Sequence, residues 1–80
     1  MYYDSGGGKD LEICPNGDIV IADCERHRIC VLSPDGSVLL RSWGTQGTDI
    51  GQLQLPTAVA LAQDKLFVLE AYSGRLHVFQ

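Results

Sequence analysis

Asp23, Cys24, His27, Arg28 and Cys30 fall within eight residues of one another, and each is of a type that does chemistry. A carboxylate, an imidazole and a guanidinium at this spacing could make an acid/base pair. No nucleophile or second carboxylate is placed to complete a reacting set. The plainer reading is structural: an Asp before a tight turn and a His-Arg after it exchange hydrogen bonds that tie two strands together. Cys24, His27 and Cys30 also spell C-x2-H-x2-C, but zinc needs four converging ligands. In a hairpin Cys24 sits by the turn while Cys30 lies well along the returning strand, so no metal site is expected. His77, between Leu76 and Val78, reads as a packed or rim residue. Gly6, Gly7 and Gly8 precede Lys9 and Asp10, without the Gly-Lys-Ser/Thr ending or the helix of a phosphate loop. No cofactor is expected.

Composition narrows the classes further. A net charge of -4, with ten acidic against six basic residues, argues against nucleic acid as the partner. Arg26, Arg28, Arg41 and Arg75 with Tyr2, Tyr3, Trp43 and Tyr72 supply cations and stacking rings, yet no basic cluster forms. The odd set Cys14, Cys24 and Cys30 fits buried free thiols better than a disulfide framework. No window of about 18 apolar residues predicts a membrane span. The opening residues lack the pattern of a secretory signal, so an intracellular, cytoplasmic setting is expected.

These side chains must be positioned by strands. The apolar runs at residues 19–22, 38–40 and 66–69 are β-rich, and no stretch keeps helical periodicity. Residues 15–18 and 33–36 (Ser-Pro-Asp-Gly) are turns, as are Gln63-Asp64 and residues 72–74. Residues 19–33 (IVIADCERHRICVLS) return in degraded form at residues 66–80 (LFVLEAYSGRLHVFQ), 47 residues on. Asp23 matches Glu70 and Arg28 matches Arg75 in that register. A fixed period of this size signals a repeat architecture. Because the strands are apolar on both faces, each sheet needs cover on both sides, which radially stacked blades provide.

The stretch GDIVIADCERHRICVLSPDG resembles the NHL repeat, a β-propeller blade, through Ala22-Asp23, His27-Arg28-Ile29, Val31 and Pro34-Asp35-Gly36. Trp43-Gly44, Gly51-Gln52-Leu53, Pro56 and Val59 match the family's connector. Arg26 stands where the family favours an Asn suited to a left-handed turn. The resemblance implies an all-β fold of two antiparallel, mostly four-stranded blades with no helix. Residues 1–10 would be a flexible tail or edge strand, 11–51 the first blade with its connector, and 52–80 a second blade lacking its outer strand. Asp23, His27, Arg28, Trp43, Glu70 and Arg75 would hold the blades, with Trp43 a wedge between them.

Family members differ in task, so the fold does not settle function. The expectation is a non-catalytic protein-interaction scaffold, with an RNA-binding module and a fragment of a metal-dependent propeller lyase as alternatives. Binding is expected at loop residues Arg26, Ile50 and Tyr72, large side chains where small turn residues are usual. Two blades leave apolar faces and unpaired edges. Those would be met by further blades of a longer chain, by self-association into a ring, or in part by residues 1–5 pairing beside Val78.

Overall fold

A computed structural model describes residues 10–80 of the chain. The expected tail or edge strand at residues 1–10, and its pairing beside Val78, lie outside the described residues apart from Asp10. Seven strands follow in order: β1 (Leu11–Ile13), β2 (Ile19–Asp23), β3 (Arg28–Leu32), β4 (Leu39–Trp43), β5 (Ala58–Ala62), β6 (Lys65–Glu70) and β7 (Arg75–Phe79). β1 to β4 form one antiparallel sheet in chain order and β5 to β7 a second. Among the described residues the one helical element is a short 3-10 turn, Cys24–Arg26.

Local chemistry sets the turns. Gln63 and Asp64 both adopt positive φ, 54° and 61°, between the paired residues Ala62 and Lys65. Two such residues make the tight turn whose twist suits a hairpin. At the opposite hairpin of the first sheet, Asp35 accepts hydrogen bonds from the Ser33 and Ser37 hydroxyls and the Ser37 amide. Bonds from Ser37 first and Ser33 second hold the Asp35 carboxyl down at about 2. Ser33 also binds Val38 in both directions, N–H to carbonyl and amide to hydroxyl. This network draws Ser37 and Val38 into the turn, so β4 begins at Leu39 rather than at Val38, where the apolar run starts.

The two sheets share one core. Val20 and Ala22 on β2 lie opposite Val31 and Ile29 on β3, and the four point toward the second sheet. They meet Val59, Leu66 and Val68, with Leu53 from the connector, in one buried cluster. Trp43 and Phe79 close its outer side edge to face, ring centroids 5.7 Å apart. The Trp43 indole N–H is buried there and has no partner among the described residues. Cover is unequal on the outer faces. Cys30 and Leu32, on the other face of β3, are also buried, whereas Leu69, Leu76 and Val78 of the second sheet are 40 to 59% exposed. Of the three free thiols, Cys24 and Cys30 are buried and Cys14 is only half-buried.

Candidate functional site

Each sheet carries one buried carboxylate where its second-to-third strand turn begins. Asp23 and Glu70 are both 0% exposed. The pairing registers place Arg28 opposite Asp23 and Arg75 opposite Glu70. Arg28 Nε donates to Asp23 Oδ2 at 2.8 Å, and Arg26 Nη1 reaches both Asp23 oxygens at 3.1 and 3.2 Å. The Cys30 thiol adds a weak contact to Oδ2 at 3.7 Å. In the second sheet, Arg75 Nε donates to Glu70 Oε1 at 2.8 Å, the Ser73 hydroxyl to Oε1 at 2.7 Å, and His77 Nε2 lies 2.7 Å from Oε2. Because an ionised carboxylate only accepts, that imidazole nitrogen carries the shared proton. Positions 23, 26, 28 and 30 thus return 47 residues on as 70, 73, 75 and 77. The same cluster is built from Asp, Arg, Arg and Cys in one sheet and Glu, Ser, Arg and His in the other.

Burial raises the pKa of the Glu70 carboxyl, but its hydrogen bonds from Arg75, Ser73, the Gln54 amide and His77 outweigh that and hold it at about 2. The Arg75 guanidinium is raised in turn, chiefly by its bond to Glu70. Such an arrangement fixes the chain around it. Oε1 accepts from Ser73 and Arg75, and Oε2 from Gln54, Arg75 and His77, which occupies the lone pairs that an acid/base group would use.

The connector between sheets, residues 44–57, is what the second cluster secures. Arg75 donates to the carbonyls of Thr48, Gly47 and Gln52, while Glu70 accepts the Gln54 N–H. His27 completes the attachment from the first sheet: its Nδ1 accepts the Leu55 N–H at 3.1 Å. Here the structure departs from the sequence expectation. Arg28 answers Asp23 across the hairpin, but His27 turns away to the connector 28 residues on. The reason is backbone shape. Residues 24–26 form the 3-10 turn, so the left-handed residue is His27 (φ 55°), one position after Arg26. That conformation places the imidazole against the connector. Cys24, His27 and Cys30 accordingly do not converge, and no group of three His, Cys, Asp or Glu suited to a metal occurs among the described residues.

The three expected binding residues lie at one end of the molecule. β4 finishes at Trp43 opposite Ile29, and β5 starts at Ala58 opposite Leu69. The connector and the turns after β2 and β6 therefore share an end, with Arg26, Ile50 and Tyr72 upon it. Ile50 is fully exposed and Tyr72 80% exposed. The Arg26 side chain is half-exposed while bonded to Asp23. Beside Ile50 runs a groove of about 490 Å³ floored by all five residues of β7 and walled by residues 48–51. Ser73, Gln54 and His77 were not singled out for the Glu70 cluster from sequence. The signal was present for two of them, since the 47-residue register sets Ser73 on Arg26 and His77 on Cys30.

Two twisted antiparallel sheets packed face to face, each running outward in chain order and joined by a connector from outer to inner strand, define β-propeller blades. The family model of the NHL repeat matches residues 10–32, which hold β1 to β3 and the Asp23 turn, so the chain carries an NHL repeat. A search of curated proteins gave no match.

Proposed function

We propose that this chain is a non-catalytic protein-interaction scaffold, binding through the connector end that carries Arg26, Ile50 and Tyr72. One observation carries the reading. The two buried carboxylates and the two histidines, Asp23, Glu70, His27 and His77, are engaged in bonds that hold turns and connector, while large apolar groups project from the loops around them. Exposed aromatic and aliphatic side chains beside arginine are the composition of interface hot spots. The NHL repeat itself is a propeller-type module, which agrees with an interaction role.

The test is affinity capture by the wild-type chain and by the double variant Ile50→Glu, Tyr72→Ala, with circular dichroism showing equal folding. A defined protein retained by the wild type and lost by the variant is the expected result. Salt-sensitive retention of RNA, metal bound after purification, or capture that ignores both substitutions would overturn the reading.

A further inference from the structure

Among the described residues, four that are not glycine adopt a left-handed backbone: His27, Leu55, Gln63 and Asp64. Gln63 and Asp64 are accounted for by their hairpin turn. His27 and Leu55 lie 28 residues apart, and one hydrogen bond joins them, from the Leu55 N–H to His27 Nδ1 at 3.1 Å. Leu55 is the more costly of the pair. It is bulky, has φ 49°, and precedes Pro56, where extended backbone is favoured. Such strain persists where the surrounding structure holds it. On either side the chain is anchored to the second sheet, by the Gln54 N–H to Glu70 at 2.8 Å and the Thr57 N–H to the Leu69 carbonyl at 2.9 Å. Leu55 itself is held from the first sheet, by His27.

That hold needs a ring nitrogen without a proton. A neutral imidazole has one donor and one acceptor, whereas an imidazolium has two donors and nothing to accept with. Imidazole is also the side chain that changes charge between about pH 5 and 8. His77 has the opposite polarity. Its Nε2 donates to Glu70, a carboxylate held at about 2, so a second proton on that ring leaves the bond in place. The charged groups around His27 are Asp23, Glu25, Arg26 and Arg28 from its own hairpin, with Arg26 and Arg28 bonded to Asp23. From the connector comes Asp49, and from the second sheet Glu70 with Arg75 and His77, beyond Gln54.

We propose that His27 is a proton-operated latch on the connector: a proton taken from solvent at Nδ1 expels the Leu55 N–H, and Leu55 relaxes toward extended backbone while Gln54 and Thr57 stay fixed. The latch concerns the hold between the sheets and requires no partner, so it stands apart from the interaction reading. Acid would loosen the attachment made by His27 and spare the one made by Glu70, and the buried Pro56 would then meet water.

Amide exchange of the isotope-labelled full chain at about pH 7.5 and about pH 5.5, expressed as protection relative to the unfolded-chain rate at each pH, reads the latch. Protection at Leu55 should fall roughly tenfold at the lower pH while Gln54 and Thr57 keep theirs. His27→Asn places an acceptor oxygen, Oδ1, as many bonds from the backbone as Nδ1, suits a left-handed residue and does not titrate. It should abolish the pH dependence. Unchanged protection at Leu55 in the wild type overturns the latch, as does the same fall in His27→Asn or an equal fall at Gln54 and Thr57. Should the variant not fold, the ring nitrogen shifts of wild-type His27 decide: Nδ1 must lack a proton at the higher pH and gain one as Leu55 opens, and a protonated Nδ1 at the higher pH overturns the proposal.

Discussion

Glu70 shows how a residue that is costly to bury becomes structural. An isolated carboxylate in the core would be neutralised, yet its donors pull its pKa from 4.5 to about 2. The folded value lies below the unfolded one, so the stabilisation is fully present above about pH 4.5 and is lost as pH falls toward 2. Glu70→Gln should lower stability at pH 7 by about 3 kcal/mol, because Arg75 keeps its place without its counter-charge. The variant should also flatten the acid limb; urea melts at pH 7 and pH 3 read both effects. His27→Ala should cost about 1–2 kcal/mol by stranding the Leu55 N–H, at a residue already held at φ 49°. Faster hydrogen exchange at the Leu55 amide is the specific readout.

Among the elements, the connector is the least regular segment and the most closely fitted. Gly44 has φ +110°, and a Cβ there would stand 2.9 Å from Leu53 Cδ1 and 3.0 Å from the His27 carbonyl oxygen. Gly44→Ala should therefore displace Leu53 from the core and lower stability by more than about 2 kcal/mol. Gly36 also has a positive φ, +76°, but no atom lies within 4 Å of its Cβ site. Gly36→Ala should pay only backbone strain, about 1 kcal/mol. Thermal melts of the two variants separate close packing from conformation. The strands themselves were legible in the apolar runs and turn residues. The start of β4 was not, because Asp35 recruits Ser37 through side-chain bonds that hydropathy does not register.

For the molecule as a whole, the 47-residue step relates covered and open surface. Ala22, Ile29 and Val31 are buried between the sheets, and the step carries them to Leu69, Leu76 and Val78, which stand 40 to 59% exposed. The open face thus has the chemistry of one already shown to accept a sheet, and further blades, from a longer chain or from copies of this one, are its fitting cover. Concentration-dependent association by sedimentation is expected for the wild type. Leu76→Glu should shift it toward monomer without loss of strand content.

Sequence alone determined the class: strand runs apolar on both faces demand stacked sheets, and a carboxylate with an arginine five residues later, found twice, marks two turns of one design. It also showed Trp43 beside Gly44 at the start of the connector. Only the tertiary structure decided where His27 and His77 point, because a single left-handed residue redirects one ring to Leu55 and cross-strand register brings the other to Glu70. It likewise decided that Ile50 stands beside the groove lined by β7. Local pattern specifies which residues share a strand, but contacts across 20 or more residues depend on how the connector closes, and that path is set by packing around Leu53.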